Sequence, residues 1–439
     1  MPYMRINPNG KVSELLRNVP IPKMFHAVQK FDRTHIDPRD IAETVERELS
    51  RPEISVKIVP GMSVAVAVGS RGIRNIDRIV RAVVDGIKSR GAVPFIVPAM
   101  GSHGGATAEG QKALLANYRI TRETMGCEIR SSMEAVLLGT SSRGRQVYMD
   151  KNAASADGII PVCRVKPHNA FRGKYESGIC KMLTVGLGKQ QGASIVHSDG
   201  MDVIAENIES MAQVVLERAP MLFAVACVEN AYDETYAVEA VRREDVLARE
   251  PELLREAFRR MPSLLVGKAD VLIVDEIGKE FSGTGVDPNI TGTFSTPYAT
   301  GGLEVQRTCF LNLTKESAGN ALGVGLASAV TERIFNAIDP DKMYANCITS
   351  TVLKSAMIPC VVANDREAIR LCIRTCNKID QNRPDIVRIA NSLHIGMVML
   401  SESYYEDVRA GRWPGLTAVD EPAELEFDGE GNLTDTIEQ

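Results

Sequence analysis

The strongest limit on the fold is an alternation of two hydrophobic periods. SVAVAVG (63–69) is a short β-branched and alanine run ending in a glycine loop. IDRIVRAVVDGIKSRG (76–91) follows with apolar residues at helical spacing and a glycine stop, and AVPFIVPAM (92–100) is again a continuous apolar run. Strand, helix and strand within so few residues predict a parallel sheet with right-handed crossovers. The loop GSHGGAT, a helix over AEGQKALLANY, a third strand and loop in ADGIIPVCRVKPHN (156–169) and a buried strand in LFAVACVENA (222–231) continue the series. REDVLAREPELLREAFRRM (243–261) reads as a charged helix leading to a boundary.

Beyond that helix a second series begins at ADVLIVDEIG (269–278). It runs through CFLNL (309–313), the helical GLASAVTERIFNAI, the strand IPCVVA (358–363) and the helix DREAIRLCIRTC. The expected class is therefore α/β: two α/β domains with mostly parallel sheets and a cleft between them. Residues 1–265 form the N-terminal catalytic and cofactor-binding domain and residues 266–415 the C-terminal one. The last twenty residues carry eight acidic and no basic side chains, so 416–439 reads as an acidic tail or a hairpin turning at Gly429–Gly431.

Composition narrows the partners. A net charge of -5 gives no basic excess for nucleic acid. No 18-residue apolar stretch occurs and MPYMRINPNGKVSELL has no apolar core of a secretory signal, so no membrane partner is expected. Nine cysteines without tight metal spacing read as reduced thiols in a cytoplasmic protein.

In open parallel sheets ligands bind beyond the carboxyl ends of the strands. Three polar loops occupy that position: GSRGIRN with Ser70, Arg71 and Arg74, GSHGGAT with His103, and KPHN with His168. The segment HNAFRGKYESGICKMLTVGLGKQQGASIVHS (168–198) adds Lys181 among small and apolar residues, where a solvated lysine is not expected, and His197 sixteen residues on. A lysine in such company has an ion-pair partner or serves as a nucleophilic amine; an imidazole at 197 can ligate a soft or borderline metal. On the residues alone two further readings stand. His103, His168 and His197 can bind zinc and activate water in a hydrolase or lyase, or the loops can hold a nucleotide or anion without catalysis.

At Ser70–Arg71, the GSH of Gly101 to His103, His168, the G-x-x-K of Gly178 to Lys181, and His197, the sequence resembles the nickel-dependent lactate racemase family. The resemblance implies a racemase or epimerase of a 2-hydroxy acid working by hydride transfer. Its cofactor would be a nickel-pincer nucleotide (nickel pyridinium-3-thioamide-5-thiocarboxylic acid mononucleotide), supplied by cofactor-assembly enzymes. It implies Lys181 as the covalent tether, Ser70, Ser177 and Gly178 as cofactor contacts, and His197 as the nickel ligand. His103 and His168 would be the acid/base pair and Arg71 the substrate-carboxylate anchor. The chain departs from the family pattern at Val68, Gly104, Thr291 and Gly292, all around the substrate. Asp287 and Asn289 keep the second domain's D-x-N, and Lys279 stands in for an absent carboxylate-binding lysine.

Overall fold

The computed structural model describes residues 4–7, 10–70 and 72–437. It divides into two compact units, Asp32–Met261 and Met1–Phe31 with Pro262–Gln439. Both are α/β.

The Asp32–Met261 unit carries a six-stranded sheet in the order Glu128–Ile129, Val93–Pro98, Ser63–Val68, Gly158–Arg164, Phe223–Glu229, Thr235–Arg242. Every pair is parallel except the last. The helix Ile76–Ser89 lays Ile79, Val80, Val83, Val84 and Ile87 against Val64, Val66 and Ile96. Those positions recur at three- and four-residue steps, one face of a helix. Each such side chain removed from water contributes roughly 1.5–3 kcal/mol, so this stripe fixes the helix on the sheet. The hairpin Ala135–Thr140 with Gln146–Asp150 was not foreseen from the sequence.

The other unit holds an eight-stranded sheet in the order Cys360–Val362, Ala329–Thr331, Glu304–Leu313, Lys268–Ile277, Ile386–Ile389, Met397–Ser401, Met24–Gln29, Leu416–Ala418. It is parallel through Ile386–Ile389 and antiparallel from there to its edge. This sheet is therefore mixed rather than mostly parallel at one side.

Three expectations change. Residues 1–31 belong with the C-terminal unit and not with 32–265, because Met24–Gln29 pairs with Met397–Ser401 and Leu416–Ala418. GLASAVTERIFNAI is not helical throughout. Ala329–Thr331, with β-branched Val330 and Thr331, forms a parallel strand, and the helix Glu332–Ala337 begins only where the Thr331 hydroxyl accepts the Ile334 N–H. Of the two readings of the C-terminal segment, the hairpin stands and the solvated tail does not: Leu416–Ala418 is a strand, and Phe427 bridges Leu433 across a turn containing Gly431 at φ +86°. Asp435 in this segment is bound by the buried Arg388 at 2.6 Å. Among the described residues no helix is long and apolar enough to cross a membrane.

Candidate active site

Val93–Pro98, Ser63–Val68 and Gly158–Arg164 are adjacent and parallel, so the loops bearing His103, Ser70 and His168 leave one edge of one sheet. The His103 Nδ1 is hydrogen-bonded to the Ser70 hydroxyl. A hydroxyl can donate or accept, so this partner permits either neutral tautomer of His103. The GSHGG turn lies close on the following helix: a Cβ at Gly110 would stand 1.9 Å from the Gly104 oxygen, and Gly104 itself sits at φ +67°. An arginine following His103 would strain that backbone.

His168 is fixed differently. Lys166 and Ser177 exchange backbone hydrogen bonds, at 2.9 and 3.2 Å, and so close the base of its loop. Within the loop the buried Glu176 accepts the His168 backbone N–H at 2.6 Å, while Arg172 donates to the His168 carbonyl at 2.6 Å and to Glu176 at 3.3 Å. Burial raises the Glu176 carboxyl above its ordinary range, and the His168 N–H and Arg172 oppose that shift. The Ala170 N–H donates to His168 Nδ1 at 3.1 Å. An amide N–H cannot accept, so the neutral ring carries its proton on Nε2. Phe171 packs on the imidazole at 4.3 Å between centroids.

The same Phe171 ring lies 6.0 Å from the Lys181 ammonium. Lys181 ends the turn Ile179–Lys181, and Met182–Gly186 continues it as a π-helical segment, a device frequent at functional sites. The glycines around it serve close approach. The Gly101 N–H donates to the Gly186 carbonyl at 3.1 Å, and a Cβ at Gly186 would meet the Ala99 oxygen at 2.8 Å. A Cβ at Gly178 would collide with Glu250 at 2.2 Å. Glu250, fully buried, accepts the Cys180 N–H at 2.8 Å, and its other oxygen has no hydrogen-bond partner among the described residues. Burial pushes its carboxyl up to about 7 against the Cys180 hydrogen bonds.

His197 closes the helix Lys189–His197, and its Nδ1 donates to the Ala193 carbonyl at 2.6 Å. A carbonyl only accepts, so Nε2 keeps its lone pair. Burial lowers the His197 pKa; the bond to Ala193 opposes this and the Lys181 ammonium adds to it. That field effect joins Lys181 to His197 as the Phe171 ring joins Lys181 to His168. A neutral imidazole with one nitrogen spoken for by a carbonyl is what a metal ligand requires.

Two sequence-derived candidates stand apart. Arg71 lies outside the described residues. Lys279 belongs to the other unit, after the strand Lys268–Ile277, where its ammonium donates to the Gly283 carbonyl at 2.7 Å and its backbone N–H to the Ser317 hydroxyl at 2.9 Å. Among the described residues no three His, Cys, Asp or Glu side chains gather as a metal site, so His103, His168 and His197 do not form the zinc ligand set of the hydrolase reading.

Sequence reasoning missed the polar groups behind these loops: Asp150, Gln111, Lys189, Glu176 and Glu250, all buried. Lys189 is wholly inaccessible and pairs with Asp150 at 2.9 Å.

The fold and site define an α/β protein that presents histidines at the carboxyl edge of parallel strands, with a lysine and a metal-competent histidine on the adjoining helical segment. Residues 22–209 match the lactate racemase N-terminal domain family, a stretch that contains Ser70, His103, His168, Lys181 and His197. Over that stretch the chain is similar to the lactate racemase family. A search of curated proteins gives no match. Among solved structures, the lactate racemase apoprotein from Thermoanaerobacterium thermosaccharolyticum is similar at 13% identity and a TM-score of 0.42, covering 80% of this chain and 85% of that one.

Proposed function

We propose that this protein is a racemase or epimerase of a 2-hydroxy acid, loaded with a nickel-pincer nucleotide. The observation that carries the reading is the pair at the helical segment. The amine of Lys181 and the unprotonated Nε2 of His197 lie within each other's field, one suited to a covalent tether and the other to nickel. When bound, that group supplies an electrophilic ring that takes the substrate's 2-hydrogen as hydride and returns it to either face.

The chain's own residues do the rest. His103, whose Ser70 partner tolerates either tautomer, takes the hydroxyl proton as hydride leaves. His168, as the imidazolium formed when its Nδ1 releases the Ala170 N–H and takes a proton, donates Nε2–H to the reacting oxygen and is left neutral. For the opposite enantiomer the roles exchange, with His103 starting as the imidazolium and His168 as the neutral base with its proton on Nδ1. Arg71 anchors the substrate carboxylate, which holds the reacting carbon in place. Ser177 and Gly178 line the approach to the tether. The departures from the family pattern at Val68, Gly104, Thr291 and Gly292 fall in substrate-side motifs, which argues against lactate itself as the substrate.

The test is co-expression with the cofactor-assembly enzymes, followed by intact-mass and metal analysis. The wild-type chain should gain mass on Lys181 and hold about one nickel, as a single-ligand tether site implies. Lys181→Ala should lose both, and His197→Ala should keep the adduct with little nickel. An unmodified, nickel-free wild-type chain overturns the reading.

A further inference from the structure

The imidazole of His103 is exposed and its Nδ1 is bonded to Ser70, and the backbone of the Gly101–His103 turn sets where that ring begins. That turn is held from behind. Gln111, buried in the helix Ala108–Asn117, donates through its side-chain nitrogen to the Gly101 carbonyl at 2.9 Å and to the His103 carbonyl at 3.3 Å. What fixes the Gln111 amide is Lys189. Its ammonium meets the Gln111 side-chain oxygen at 3.2 Å, the Pro98 carbonyl at 2.6 Å and the Asp150 carboxylate at 2.9 Å. Two of its protons are hydrogen-bonded, to Gln111 and Pro98, and Asp150 balances the charge as an ion pair without a hydrogen bond. Because an ammonium cannot accept, the oxygen of Gln111 must turn toward it, and the NH2 group is left for the His103 turn.

Two further observations mark this arrangement as built. Lys189 has φ +56°, a backbone region that a lysine enters only when its surroundings over-determine it. It is also among the largest fully buried side chains of the molecule, where a lysine is retained only if paired. Its partners come from the end of the strand Val93–Pro98, the end of the hairpin strand Gln146–Asp150 and the helix Ala108–Asn117. One cation therefore sets the geometry of the segment that bears the proposed proton acceptor.

We propose that Lys189 is a positioning residue for His103, acting through the orientation of the Gln111 side chain. The consequence for turnover rests on the racemase reading; the positioning itself does not, and the experiment separates the two. Histidine-selective labelling and NMR of the unloaded protein follow the His103 ring in Gln111→Met, which leaves the Lys189–Asp150 pair intact. Lys189→Met with Asp150→Asn, which leaves no orphan carboxylate, is the second variant. Both should shift the His103 ring signals and the pH at which they titrate, while His26, His35 and His394 stay unmoved. In loaded enzyme, Gln111→Met should lower kcat about 10- to 100-fold with KM changed by less than about threefold, the signature of a misaimed group. His103 signals identical to wild type in Gln111→Met would overturn the proposal whatever happens to the melting temperature. So would a displaced His103 in an active, loaded enzyme whose kcat is unchanged. If loaded wild-type enzyme shows no racemisation while the His103 signals move as expected, the racemase reading fails and the positioning stands.

Discussion

In the unit containing residues 262–437, buried charge is closed upon itself. Arg388, about 1% exposed, binds Asp275 at 2.8 Å and Asp435 at 2.6 Å, and Arg333 joins Asp365 to Asn432. These clusters hold the C-terminal segment against the sheet. In the unit of residues 32–261 the buried polar groups face outward in effect. Lys189 acts on the His103 turn, Glu176 on the His168 loop, and Glu250 on the turn that carries Lys181. Charge spent on counter-charges and on the C-terminal backbone locks a fold, whereas charge spent on the backbone of a site loop sets where a side chain points.

The comparison can be broken by experiment. The largest effect belongs to the site. His103→Gln or His168→Gln should lower kcat about 10²- to 10⁴-fold in loaded enzyme, with nickel content and melting temperature unchanged. A drop in stability to match the drop in rate would erase the distinction between the units. Next comes Arg388→Met, which leaves Asp275 and Asp435 without their counter-charge. Denaturation at neutral pH should show a loss of about 3–5 kcal/mol. Burial already raises Asp275 to about 6 against Arg388, so the loss should shrink toward pH 5, where the carboxyl can take a proton. A cost near zero at pH 7 would mean that the cluster is dispensable.

The smallest effect has the opposite sign. Glu250 is charged at a site that disfavours charge, with its folded pKa near 7 against an ordinary value of 4.5. Its contribution to stability is full below pH 4.5 and fades as pH rises through 7. Glu250→Gln keeps an oxygen for the Cys180 N–H and removes the ionisation. It should stabilise the protein above pH 7 on the order of 1–3 kcal/mol and change little at pH 5. A variant less stable at pH 8 would show that the carboxylate form is the one the fold uses.

Much of the site was legible because it is local. A β-branched run followed by a glycine loop fixes both a strand and the side of the sheet where its loop emerges, which was enough for Ser70, His103 and His168. Lys181 stood out because its neighbours are apolar. The supporting groups were hidden for the same reason in reverse. Lys189 follows GLG and reads as a helix-surface lysine until the hairpin brings Asp150 under it. Glu250 sits in the charge-rich AREPELLRE, and only the packing of Val246–Arg260 against the Lys181 turn strips it of water. The Ala329–Thr331 strand was lost to a helix because three residues carry no period of their own. The signal that would have placed it is the threonine cap at Thr331.

The strand Met24–Gln29 takes its place only between Met397–Ser401 and Leu416–Ala418. During synthesis it leaves the ribosome before residues 32–261 and waits for partners made several hundred residues later, tens of seconds at about 5–20 residues per second. Residues 32–261 can complete their own sheet in that interval. Residues 32–261, which bear His103, His168 and His197, therefore mature while the Met24–Gln29 strand is still an unpaired ribbon.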